Sequence, residues 1–135
     1  MKTSGLRRLG MLVALSCIAA LAFSATASAK QNAPVKKVKI GYINLSDQLP
    51  FVVLVRKGIE KAAKAAGAQL VECDSNLDAQ KAINCAAQLK LQGVKGILNF
   101  QLDSKAAPRV CAAGPKVPTV AIDIHQPPCE VVFFA

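Results

Sequence analysis

Apolar and polar positions follow two rhythms along this chain, and the changes between them mark out its elements. Residues 38–44 form a short, nearly continuous apolar run, which predicts a buried strand. From residue 50 the rhythm turns helical. Val52, Val55, Ile59, Ala62, Ala63 and Ala66 share one face, while Arg56, Lys57, Glu60, Lys61 and Lys64 share the other. Ser46 and Asp47 are candidate caps, Pro50 suits the first turn, and Gly67 suits a left-handed stop. Glu60 and Lys64 are spaced as an i,i+4 ion pair. A second strand is expected over 68–73, then a helix opened by Asn76 or Asp78 that carries Ile83, Ala86 and Leu89 to a stop at Gly93. Residues 94–100 predict a third strand, Asp103 or Ser104 opens a third helix reaching Ala113, and 117–122 and 130–134 predict two more strands. Strands alternating with helices of this length require right-handed crossovers. The expected fold class is therefore α/β, a doubly wound parallel sheet of about five strands with helices on both faces.

The first 29 residues follow neither rhythm. Lys2, Arg7 and Arg8 precede an apolar stretch over 11–23, and small residues follow, with Ala27 and Ala29 in the A-x-A positions of a cleavage site. The stretch is shorter than the roughly 20 residues that span a bilayer. Residues 1–29 are therefore read as a cleaved signal peptide, and the protein as periplasmic or otherwise extracytoplasmic. Residues 30–37 form a polar, basic leader.

Composition narrows the picture further. The chain carries a net charge of +9; without residues 1–29 it has 106 residues, 14 Lys/Arg against 8 Asp/Glu, and a net charge of +6. There is no Trp and one Tyr, and the basic residues are spread over several segments. A solvated basic surface is expected, with no nucleic-acid partner. Cys73, Cys85, Cys111 and Cys129 remain after export, an even number that permits two disulfides in an oxidising compartment. Proximity suggests Cys73 with Cys85 and Cys111 with Cys129, among three pairings that stay open.

In parallel sheets ligands bind beyond the carboxyl ends of the strands, which here means residues 44–51, 74–78, 101–105 and 123–126. Neither a nucleotide phosphate loop nor a nucleophile elbow occurs. Asp123 and His125 share a loop, but His125 is the single histidine and no C-x-x-C pair exists, so no metal, cofactor or catalysis is expected. The remaining polar groups are Asp47 and Gln48 beside Phe51, then Asn76 and Asp78, Gln101 and Asp103, and Asp123 and His125. Carboxylates and amides around an aromatic ring suit a neutral hydroxylated solute such as a sugar, because directional hydrogen bonds meet the hydroxyls and the ring covers the C–H face. Asp47, Asp78 and Asp103 also have the simpler reading of helix caps.

Several runs stand in a familiar order: Lys39-Ile-Gly-Tyr-Ile, Leu49-Pro-Phe51, Gly58-Ile-Glu-Lys-Ala-Ala, Asp78-Ala-Gln-Lys-Ala-Ile, Gln92-Gly-Val-Lys-Gly-Ile-Leu98, Asp103-Ser-Lys-Ala and Val117-Pro-Thr-Val-Ala-Ile-Asp123. With that order and spacing, residues 38–135 resemble the type I periplasmic binding proteins of ribose/galactose type. The resemblance implies an exported, non-enzymatic and monomeric solute-binding component of an ABC importer, which captures a sugar and delivers it to a membrane permease. It implies ligand contacts from Asp47 or Gln48, Phe51, Asp103 and Asp123. Leu49, Val52 and Ile124 stand where many sugar binders have Asn, a second aromatic and Arg, which points away from ribose itself. The family's members have two lobes, so residues 38–135 are read as an N-terminal lobe without its second lobe, a truncated chain. Two other readings stay open. One is a sensory lobe presenting its solute to a membrane receptor or kinase; the other is a small secreted enzyme or redox protein using Asp123, His125 or the cysteines.

Overall fold

The structure is a computed structural model and describes residues 37–135; the signal-peptide reading of residues 1–29, and the leader up to residue 36, lie outside the described residues. The elements are β1 Lys39–Asn44, α1 Pro50–Ala65, β2 Gln69–Asp74, α2 Ala79–Gln92, β3 Ile97–Phe100, a 3-10 turn at Ser104–Ala106 running into α3 Ala107–Ala113, β4 Thr119–Ile122 and β5 Glu130–Phe134. All five strands are parallel, in the order β2-β1-β3-β4-β5. The doubly wound α/β sheet expected from the sequence is the fold observed.

Alternation along β1 divides the core in two. Ile43 points to one face and packs with Cys85, Ala86 and Leu89 of α2, Ile97 of β3 and Val110 of α3. Tyr42 points to the other and packs with Val52, Val55 and Ile59 of α1 and with Phe100. β1, covered on both faces, has the largely apolar run that this requires, while the buried Asn99 interrupts the run in β3. Gly41 sets how closely α2 approaches, since a Cβ there would lie 2.7 Å from Leu89 Cδ1.

Local signals account for most element ends. Asp78 caps α2 by accepting the Lys81 N–H at 2.7 Å, and Gly93 closes the helix in the left-handed region with φ 68°. Pro50 opens α1 as expected, but the cap residue is Leu49 and no side chain caps it. Ser46 and Asp47 lie earlier and serve the preceding loop instead. The third helix divides: Asp103 caps the 3-10 turn, and α3 proper starts at Ala107. β4 starts only after Pro118, which has no N–H to give a ladder. On α1, Glu60 pairs with Arg56 and not with Lys64, because Arg56 also reaches Asp47 and so already lies along that side of the helix.

Two disulfides lie on the α2–α3 side of the sheet. Cys73–Cys85 ties β2 to α2, and Cys111–Cys129 ties α3 to the segment before β5, with Cα separations of 5.5 and 5.7 Å. These are the pairs that proximity suggested. The α1 side is covered less completely. Ile122 of β4 and Phe134 of β5 border an open trough of about 520 Å³ beside α1. Among the described residues, no helix is long and apolar enough to cross a membrane.

Candidate functional site

The parallel sheet gathers the carboxyl ends of β1 to β4 along one edge, and hydrogen bonds from buried residues hold the loops there. Tyr42, fully buried, donates its hydroxyl to Asn44 Oδ1 at 3.0 Å, and Asn44 Nδ2 donates to Asp47 Oδ1 at 2.8 Å. Burial, together with nearby Glu72 and Asp47, pushes the Tyr42 phenol above its ordinary range, so it remains a donor. Ser75, also fully buried, donates to the carbonyls of Asn44 and Leu45 and accepts from Gln101 Nε2 at 2.9 Å. One hydroxyl thus binds together the ends of β1, β2 and β3. Gln126, buried in the β4–β5 segment, extends the set by directing Nε2 at the Gln101 carbonyl.

The six residues singled out from the sequence fall into separate positions. Asp47 is exposed yet engaged: its Oδ1 takes the Asn44 bond and lies 3.0 Å from Arg56 Nε, a charge contact and not an aligned hydrogen bond. Gln48 donates Nε2 to Asn76 Oδ1 at 2.8 Å, joining the first two loops. Asp103 Oδ1 accepts the Lys105 N–H at 2.9 Å as a cap. His125 lies against Glu130, with Nδ1 2.7 Å from Oε1, and stacks on Phe133 with centroids 4.0 Å apart. Phe51 and Asp123 are the pair the fold brings together. Phe51 stands 65% exposed, edge-on to Phe100 at 6.4 Å, and both it and Asp123 line the trough beside α1. Asp123 holds φ at 77°, a conformation few non-glycine residues adopt, while its N–H is fixed to the Phe134 carbonyl at 2.8 Å.

This edge is the candidate site. It offers an exposed aromatic face, an exposed carboxylate and loops fixed from beneath. Among the described residues, no group of three His, Cys, Asp or Glu side chains could hold a metal ion.

No protein-family model matches the sequence, and no curated protein matches it either. Solved structures do. An ABC transporter solute binding protein from Mycobacterium smegmatis with bound glycerol superposes with a TM-score of 0.68 at 25% identity, over 73% of this chain and 35% of that one. The lac repressor dimer bound to operator and an anti-inducer gives 0.63 at 24% identity, over 75% and 32%. A XylFII–LytSN complex gives 0.54 at 24%, over 73% and 37%. This chain has the fold of a type I periplasmic-binding-protein lobe. It spans about a third of the length of the solved structures it matches.

The lobe's buried polar residues escaped the sequence reading. Ser75, Asn99 and Gln126 are at most 3% exposed, yet in sequence they read as ordinary loop or strand residues. Their one legible signal is position, since each stands at or just beyond the carboxyl end of a strand. Glu130, the partner of His125, carried no signal because four residues of irregular chain separate the two.

Proposed function

We propose that this periplasmic-binding-protein-type lobe forms one wall of a solute cleft in an exported binding protein, taking a small hydroxylated solute such as a sugar and passing it to an importer at the membrane. The observation that carries this reading is the exposed Phe51 ring beside the strained, solvent-facing Asp123. The ring would cover the C–H face of a sugar, and the carboxylate would accept from its hydroxyls. Glycerol in the Mycobacterium smegmatis protein is a small polyol of the same chemistry. A second lobe would supply the opposite wall and exclude water. Asp47, Gln48, Asp103 and His125 would then act at the rim, by holding loops or by turning to the solute on closure.

One wall makes about half the contacts of a closed cleft. A closed cleft with micromolar affinity is worth about −8 kcal/mol, so this chain alone should bind at about millimolar strength. The experiment is amide NMR titration of the chain with xylose, ribose and glycerol. Saturable shifts centred on Phe51 and Asp123, abolished by Phe51→Ala and by Asp123→Asn, support the reading. Shifts centred elsewhere, or none at any soluble concentration, reject it.

A second reading has its own observation, the match to XylFII in complex with LytSN. Here the lobe would present its solute to a receptor or kinase at the membrane instead of a permease. Pull-down from membranes in the presence of solute, followed by identification of the retained protein as kinase or permease, separates the two.

A further inference from the structure

Most of the lysines that the sequence scatters over many segments come together in the fold. Because all five strands run parallel, their amino ends share one edge with the carboxyl ends of α1 and α2. Lys39 Nζ donates to the Gln92 carbonyl at 3.1 Å, and the Lys95 N–H donates to the Lys39 carbonyl at 2.8 Å. The Gln69 N–H bonds Val38, bringing the end of α1 and Lys64 alongside, and the Ile97 N–H bonds Pro118, bringing Lys116. Lys37, Lys61, Lys64, Lys90, Lys95 and Lys116 are exposed.

Acidic residues lie elsewhere. Asp47, Asp74, Asp78, Asp103 and Asp123 all stand at the carboxyl ends of strands or just beyond them. Glu60 and Glu72 lie against Arg56, and Glu130 is held by His125 and Gln126. Helix ends favour Lys64 and Lys90, and Lys39 through its bond to the last carbonyl of α2, but they give no reason for Lys37, Lys95 and Lys116 on loops.

The geometry points to this basic pole as a docking surface for anionic lipid. The segment before residue 37, with Lys36 and the export-type pattern of residues 1–29, joins the lobe at this same pole. The described aromatics stand elsewhere: Phe51, Phe100, Phe133 and Phe134 belong to the opposite end and Tyr42 is buried. Stacking platforms for single-stranded nucleic acid are missing from the pole. This inference is independent of which solute the cleft takes.

The test is co-sedimentation of the full chain with phosphatidylcholine vesicles, with and without phosphatidylglycerol, at low and high salt. Charge docking gives binding that requires phosphatidylglycerol and falls with salt. Lys37→Glu, Lys95→Glu and Lys116→Glu together should weaken it on the order of 100-fold or more, at about a factor of five to ten per lysine removed. The same charge change away from the pole, Lys57→Glu, Lys81→Glu and Lys105→Glu, should weaken it far less. Equal losses from both triples, indifference to phosphatidylglycerol, or binding unchanged by salt would each overturn the proposal. So would a DNA duplex that outcompetes the vesicles through the same lysines.

Discussion

Tyr42 is where the core reaches the cleft edge, one residue at a time. Its hydroxyl is fully buried and its bond to Asn44 continues to Asp47 and so to the loop that presents Phe51. Asn44→Ala removes both links and leaves the Tyr42 hydroxyl without its acceptor, a loss of about 1–3 kcal/mol. Denaturant unfolding should show that loss, whereas Phe51→Ala, an exposed ring, should cost far less stability while removing solute binding. Glu130 gives a different residue-scale outcome. The Gln126 N–H, and then the His125 ring, hold its carboxyl below the usual carboxylate range. A lowered folded value means that its stabilisation is complete above the ordinary value of 4.5 and disappears as pH falls through the lowered one. Glu130→Gln should therefore melt below the wild type at neutral pH and level with it in acid. Glu72 has the opposite sign: burial, and then Glu60, raise its carboxyl, so its ionisation opposes folding as pH rises.

Among elements, the β4–β5 connection depends most on a covalent link. It returns from one parallel strand to the next without a helix, over the residues between Ile122 and Glu130, and Cys129 fixes its end to α3. Replacing Cys111 and Cys129 by Ser should cost about 3 kcal/mol for a loop of this size and should raise hydrogen exchange in β5 before β1. Elements with a repeating pattern were legible in advance: α1 from its apolar face, α2 from Asp78 and Gly93, β1 from its apolar run. Irregular ones were legible only in outline. The third helix gave no warning of its 3-10 turn, because the geometry turns on Asp103 accepting from Lys105 and not from a residue further on. For the candidate site, Phe51 and Asp123 could be picked out because they fall in the segments that follow β1 and β4. Ser75 and Gln126 could not, since their importance lies in partners 25 to 31 residues away.

At the scale of the molecule, three properties are segregated. Most carboxylates and Phe51 lie at one end of the sheet, most lysines at the other, and the α1 side holds the open apolar trough. The parallel sheet produces the first two together, since it sends every strand-to-helix loop one way and every helix-to-strand loop the other. The two disulfides add a property felt only under load. Both close short stretches of chain, 12 and 18 residues apart, on the same side of the sheet. When the ends are pulled apart in an optical trap, those stretches stay shut and contribute no length. Adding reductant should lengthen the fully stretched chain by roughly 100 Å, at about 3.3–3.6 Å per residue released. Until then, the α2–α3 side works as a tether of limited reach, and α1 is the helix free to pay out all of its chain.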